Sequence, residues 1–300
     1  GHSADLSIAD ATLPVVRGFG DARRALATIT STGQADIVHG QFGSLVGMAT
    51  GVQRGATRLV SLRGSDMHWR YGSLRDRASA LVRMGMSWFA ALRCHGIIVM
   101  SHAMAQRLRR WPFMRRAAIH IIPDPAGDMF WPGPVADIAA QLGQHPQKIV
   151  AASVQHDNPI KRLHIIADAV ALCQRAGLCV TLDALSGRTR ADVRAAILAA
   201  DCVALSSTHE GWPNIIKEAL LLGKSFVATP VSDLHHHAGV GSMNHVVAPH
   251  PVDFACAWVD QMVARIIAPH GISPALAPFH PDGVAAKHRL LYQYYGGAAA

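Results

Sequence analysis

Two kinds of segment alternate along this chain, and the alternation limits the fold more than any other feature. Short apolar runs rich in branched residues recur: DIVHG (36–40), RLVSLR (58–63), GIIVMS (96–101), IHIIPD (119–124), KIVAAS (148–153), CVTLDAL (179–185), CVALSS (202–207), SFVATP (225–230) and NHVVAP (244–249). Most are too short for helices and are bounded by Gly, Pro, Ser or Asp, so they read as buried strands. The stretches between them, among them DARRALATI, SLRDRASALVRMGMSWFAALR, KRLHIIADAVALCQRA, RADVRAAILAA and NIIKEALLL, have helical spacing. Strand alternating with helix predicts an α/β fold with parallel sheets covered on both faces. Half of the residues are hydrophobic and 16% are charged, enough to bury a core. No apolar run approaches the roughly 18 residues that a membrane span needs.

The pattern breaks at PDPAGDMFWPGPV (123–135), where four prolines and two glycines intervene, and it restarts at KIVAAS. This predicts two Rossmann-like domains, over residues 1–130 and 131–275, with a final helical segment at 276–300. Domains of this kind leave a cleft outside the carboxyl ends of their strands, where such sheets bind ligands.

The stretch most charged with chemistry is SSTHEGWPNIIKEALLLGKSFVAT (206–229). It reads as strand end, loop, helix and next strand, with Gly223 placed to cap the helix. The helix begins near Asn214, so its free backbone N–H groups point into the loop and favour phosphate or an electron-rich sugar oxygen. Glu210 sits on that loop. Glu218 lies one to two turns into the helix, and its carboxylate can accept two hydrogen bonds from a vicinal diol.

This stretch closely resembles the donor-binding signature of retaining glycosyltransferases of family four, which have the GT-B fold. The resemblance implies that Glu210 contacts the donor sugar and Glu218 the nucleotide ribose, while Gly211, Trp212, Pro213 and Asn214 shape the phosphate-facing turn. Upstream, SVQHDNPIKRLHIIADAV (153–170) matches the segment where the family sets a basic residue against the donor diphosphate. That role falls on Lys161 first and Arg162 second. The family's usual Gly-Arg pair shortly before this lysine is absent.

DIVHGQFGSLVGMA (36–49) and RLVSLRGSDMHW (58–69) resemble the family's cleft-facing loops more loosely. Many members have a His where this chain has Arg63, followed by Gly64, Ser65 and Asp66. Arginine is a poor base but can donate a planar pair of bonds to phosphate. His39 and His68 are further cleft candidates, with a satisfied strand-end histidine the competing reading of His39. The resemblance covers roughly residues 35–295 and is strongest over 150–250, with DGVAAKHRLLYQYY (282–295) as the helix that packs back across the domains. Nothing before DIVHG matches the family's first strand, glycine loop and helix, so that unit is expected to be missing.

The resemblance implies transfer of a sugar from a nucleotide donor to an acceptor hydroxyl with retained configuration. Lys161, Arg162 and Arg63 would stabilise the departing diphosphate. No cofactor or metal is expected: the histidines of DLHHHAGVGSMNH (233–245) lack the Cys or Asp pattern that completes a shell. The implied partners are a nucleotide sugar and a saccharide or lipid-linked acceptor in cell-envelope synthesis. Two other readings compete. One is a GT-B nucleotide-sugar epimerase, against which the EGWPN loop argues. The other is a degenerate or truncated member that binds a nucleotide sugar or a partner protein without catalysis.

The net charge of +8 suits anionic partners. Arginines cluster with Trp111 and Phe113 in QRLRRWPFMRR (106–116), a candidate membrane-surface patch over 107–116. No zinc-finger or RNP-like motif supports nucleic acid. The five cysteines, none in a Cys-x-x-Cys pair, are expected to be buried free thiols in a reducing cytoplasm.

Overall fold

The computed structural model describes residues 35–63, 73–126, 138–144, 146–152, 159–239 and 242–297, with Gly20, Arg23, Arg24 and Ala27. Two compact units divide between Ile119 and His120.

In the first unit the strands are β1 (Ile37–Gly40), β2 (Thr57–Leu62) and β3 (Gly96–Val99), with β4 (Ile119–Ile121) starting at the unit's last residue, and the sheet order is β1-β2-β3-β4. β2 runs parallel to both β1 and β3, in register Ile37↔Thr57 and Leu59↔Gly96. Leu59, Val60, Leu62 and the three residues Ile97, Ile98 and Val99 are fully buried, as the continuous apolar runs required. The helices are α1 (Met48–Gly51), α2 (Leu74–Arg93) and α3 (His102–Arg109).

α2 starts at a capping box, in which Ser73 accepts from the Asp76 amide and the Asp76 carboxylate accepts from the Ser73 amide. Only small residues of α2 are buried, namely Ala80, Ser87, Ala90 and Ala91. They pack on a wide turn, Gly43–Gly47, that leads into α1. The approach is close enough that a methyl group on Gly47 would lie 2.7 Å from the Phe42 carbonyl oxygen. The helical reading of DARRALATI falls mostly outside the described residues.

In the second unit β5 (Gln147–Ala152), β6 (Val180–Leu185), β7 (Cys202–Leu205), β8 (Ser225–Ala228) and β9 (His245–Val246) form one all-parallel sheet in the order β6-β5-β7-β8-β9. Counted within the unit this is the doubly wound order 2-1-3-4-5, whose crossing direction reverses between β5 and β7. The helices are α4 (Ile138–Gln144), α5 (Leu163–Arg175), α6 (Arg190–Ala199), α7 (Asn214–Leu221), α8 (Pro251–Ile267) and α9 (Pro281–Gly297). One face of the sheet packs Val203, Leu205, Phe226 and Ala228 against Ile197, Ile215, Ile216 and Ala219. α8 is buried almost all round, with Phe254, Trp258, Val259 and Val263 inaccessible, and it packs on α5, α4 and α9.

The thiols depart from expectation. Cys173, Cys202 and Cys256 are buried, Cys94 is half-buried and Cys179 is exposed. Cys179 ends the turn before β6, where the chain is still at the surface. Burial pushes the Cys173 and Cys202 thiols up to about 12, so they are inert as nucleophiles.

Candidate functional site

β5 and β7 are the two strands between which the sheet changes direction, so the segments leaving their carboxyl ends flank the crevice that parallel sheets use for ligands. Lys161 lies on the first segment and Glu210 on the second. The structure brings them together: Lys161 Nζ donates to Glu210 Oε1 at 2.5 Å, with both side chains mostly buried. Ser207 Oγ donates to the same oxygen at 2.7 Å. Burial alone would push the Glu210 carboxyl up. The hydrogen bonds from Lys161 and Ser207, and the lysine charge, outweigh it and hold the group below its ordinary value. Glu210 is therefore an anion with one oxygen engaged.

Arg162 faces protein rather than solvent. Its Nε donates to the Ser206 carbonyl at 2.8 Å and its Nη2 to the Ser207 carbonyl at 3.0 Å. It caps α5 in the left-handed conformation, φ 46° and ψ 45°. Such a conformation is unfavourable for a side chain of this size and persists because its surroundings fix it. The buried Ser206 hydroxyl supplies that fixing, 2.7 Å from the Lys161 carbonyl and 2.8 Å from that of Arg162. A backbone bond from Thr208 to Ile160, 2.8 Å, closes the same junction. The cation at 162 thus orients the lysine before it. Ser206, Ser207 and Thr229, whose hydroxyl donates to the Ser207 carbonyl at 2.6 Å, were not singled out from the sequence. Their signal was the paired serines at the strand end.

Gly211, Trp212, Pro213 and Asn214 form the turn into α7. Pro213 is buried, has φ −68° and ψ 121°, and offers no side-chain acceptor. The amides of Ile216 and Lys217 both reach the Pro213 carbonyl at 3.2 Å, while those of Asn214 and Ile215 precede any intrahelical acceptor. Trp212 is half-buried against the core, with the His237 ring centroid 5.5 Å from its own in an edge-to-face contact and Lys217 Nζ 5.9 Å from its ring centroid. Glu218 is half-buried one turn into α7, and among the described residues no side chain bonds its carboxylate. Gly223, at φ 69°, ends the helix as expected. His235–His237 form a short turn, with the rings of His235 and His236 3.9 Å apart.

In the first unit a hydrogen-bonded chain crosses the carboxyl ends of β1 and β2. Arg63 Nη2 donates to Gln41 Oε1 at 3.0 Å, Gln41 Nε2 to His39 Nδ1 at 3.2 Å, and His39 Nε2 to Ser61 Oγ at 2.8 Å. Arg63 also lies over the Phe42 ring, 5.3 Å from its centroid. Both His39 nitrogens are engaged within this chain of hydrogen bonds. Gly64, Asp66 and His68 lie outside the described residues.

Among the described residues, the group with metal-ligating atoms in reach of one another is His120, His250 and Asp253, within 4.8 Å. Four of their polar atoms already have partners. His120 Nδ1 donates to Asp253 Oδ1 and its Nε2 meets the Tyr295 hydroxyl, both at 3.0 Å. His250 Nδ1 accepts from the Val252 amide at 3.3 Å and caps α8. This arrangement is a part-buried polar relay within the second unit, tying His120 to α8 and α9. A hollow of about 560 Å³ in the second unit adjoins Asp201, Lys224 and Ser225 at the amino ends of β7 and β8. It is remote from Lys161 and Glu210, and the opposite strand ends are where ligands bind.

Residues 11–125 match the family model described as Glycosyltransferase Family 4. The match begins upstream of DIVHG, in a stretch where motif reading found nothing that matched, and it stops before the Lys161 and Glu210 segments. No curated protein matches the chain. Solved structures that are similar include sucrose-phosphate synthase (tll1590) from Thermosynechococcus elongatus, at 17% identity and a TM-score of 0.32, covering 93% of this chain and 76% of that one. Anabaena Alr3699/HepE in complex with UDP-glucose has 17% identity and a TM-score of 0.32, covering 92% and 80%. The lipopolysaccharide outer core galactosyltransferase WaaB has 14% identity and a TM-score of 0.32, also covering 92% and 80%. Scores at this level are too low for any donor or acceptor to be carried to this chain.

Proposed function

We propose that the chain is a glycosyltransferase of the GT-B type that moves a sugar from a nucleotide donor to an acceptor hydroxyl, with retained configuration and without a metal. The observation that carries the reading is the Lys161–Glu210 pair at the switch point of the second sheet, beside the start of α7. A cation, a carboxylate anion and free backbone amides converge there, and these are the groups that a sugar diphosphate requires. The family-model match over 11–125 and the motif resemblance around 206–229 support it independently.

In this reading an arriving diphosphate competes with Glu210 for Lys161. Lys161 and the first amides of α7 then stabilise the charge that grows as the anomeric C–O bond to phosphate breaks. Preorganised charges in a partly buried site are the largest contribution such a site makes to rate. The acceptor oxygen forms the new bond on the same face, and its proton passes to the departing phosphate. Glu210, released from Lys161, accepts hydrogen bonds from sugar hydroxyls and sets the sugar's orientation. Glu218 takes the ribose diol. Arg63 and His39 belong to the acceptor-side unit, and a saccharide or lipid-linked acceptor of the cell envelope fits the reading.

Calorimetric titration with UDP, GDP and ADP and their sugar conjugates tests it, with Glu218→Ala and Lys161→Ala as variants. Binding of one nucleotide, weakened by both substitutions, is the expected outcome. A folded protein that binds none of them refutes the donor site.

A further inference from the structure

We propose that the outer face of α2, together with the Trp111–Phe113 knuckle, docks on the surface of an anionic lipid bilayer. The inference does not rest on the donor site. It starts from an inversion in α2. Successive helical residues are about 100° apart, which sets Leu74, Leu81, Trp88 and Leu92 in one stripe with Val82 and Phe89 beside it. The buried face, Ala80, Ser87, Ala90 and Ala91, lies on the opposite side. Hence the larger apolar residues of this helix point outward: Leu92 is 55% exposed, and Leu74, Leu81 and Val82 are also exposed.

A second element extends the stripe. Trp111 and Phe113, 49% and 53% exposed, pack edge-on to Trp88, with ring centroids 5.3 and 5.5 Å away. The short turn Pro112–Met114 that carries them is pinned by the buried Met114. Rigid aromatic rings held partly out of the protein suit the lipid–water boundary, where an apolar body and a polar edge are both accommodated.

The charge identifies the occupant. Residues 73–119 contain nine arginines and one acid, Asp76. The rest of the chain holds nineteen basic and nineteen acidic residues, so the whole net charge of +8 resides in this segment. Arg75, Arg77, Arg93, Arg110, Arg115 and Arg116 are exposed around the apolar stripe. Apolar groups ringed by arginine match a surface that is apolar below and anionic above. A neutral protein partner would leave these charges unmatched.

Each arginine near an anionic leaflet contributes about 1 kcal/mol, or about fivefold in partitioning. Sedimentation of the full chain with phosphatidylcholine vesicles, with and without phosphatidylglycerol, reads this directly. The expected result is binding to the anionic vesicles, weakened by salt and absent from pure phosphatidylcholine. Arg115→Gln with Arg116→Gln should weaken it by about 25-fold. Trp111→Ser with Phe113→Ser should reduce it further while circular dichroism stays unchanged. Several outcomes would overturn the inference: no anionic-vesicle binding, equal binding to neutral vesicles, or indifference to all four substitutions. Retention of DNA or RNA in preference to vesicles would do the same, and so would a dimer that Trp111→Ser dissolves.

Discussion

Protonation of His250 should destabilise the second unit as the pH falls. Its ring is held below the ordinary histidine value, at about 4, by burial first and by His120 second, against the opposing pull of Asp253. Geometry gives the same answer, because the Nδ1 lone pair that would take the proton already accepts the Val252 amide and caps α8. The unfolded chain protonates this residue near pH 6.5, whereas the folded chain does so only near 4. Between those values the unfolded state binds more protons. Stability from this residue is therefore complete above about pH 6.5 and falls as the pH is lowered toward 4. The loss between about pH 7.5 and pH 5 amounts to about 2 kcal/mol. His250→Asn preserves a capping acceptor but removes the titration. Urea unfolding followed by far-ultraviolet circular dichroism, at both pH values and for both proteins, isolates the effect from the other histidines. The wild type should lose about 2 kcal/mol more than the variant on acidification. Equal losses in the two proteins would show that His250 titrates normally and that the cap does not compete for its proton.

Other perturbations test other parts of the structure. Glu210→Gln removes the anion that Lys161 holds, and if the proposed transfer occurs it should lower turnover by about 10²–10³-fold with little change in melting temperature. Gly47→Ala drives a methyl group to 2.7 Å from a backbone carbonyl, so it should destabilise the first unit by about 1–3 kcal/mol in a denaturant titration. Lys287 is buried, with its ammonium 2.8 Å from Asp260 Oδ1 and 3.2 Å from the Pro278 carbonyl. Lys287→Met strands that carboxylate and should cost about 3–5 kcal/mol, much of which Asp260→Asn in the same chain should restore.

The strands were legible because each lies in a short apolar run rich in branched residues with a turn residue at its end. All nine runs overlap an observed strand. Lys161 and Glu210 were legible as separate positions, since each follows a strand of the same sheet. Their bond was not, because it depends on the order β6-β5-β7, which local periodicity does not carry. Arg162 shows the limit more sharply. Next to a lysine at a helix start it reads as a second ligand for an anion, yet the left-handed backbone at that residue turns its guanidinium onto the Ser206 and Ser207 carbonyls. α8 was not among the helical stretches singled out, although most of its residues are buried. The turn Gly43–Gly47 was missed because its glycines meet small residues of α2 rather than special backbone angles. His120 and Asp253, 133 positions apart, offered no local signal at all.

The junction of Arg162 with Ser206 has a consequence for how a crevice at this position can vary. Two guanidinium bonds, a serine hydroxyl shared between two carbonyls and one backbone bond sew the segments after β5 and β7 into a single stiff lip. A ligand cannot pry that side apart without breaking several bonds at once. In the proposed reading, adjustment to a longer or shorter leaving group would fall to the turn that carries Trp212 and to the short His235–His237 segment facing it. The Trp212 and His237 rings meet edge to face there. The stiff side would fix where the charge is met, and the soft side would decide how much else is admitted.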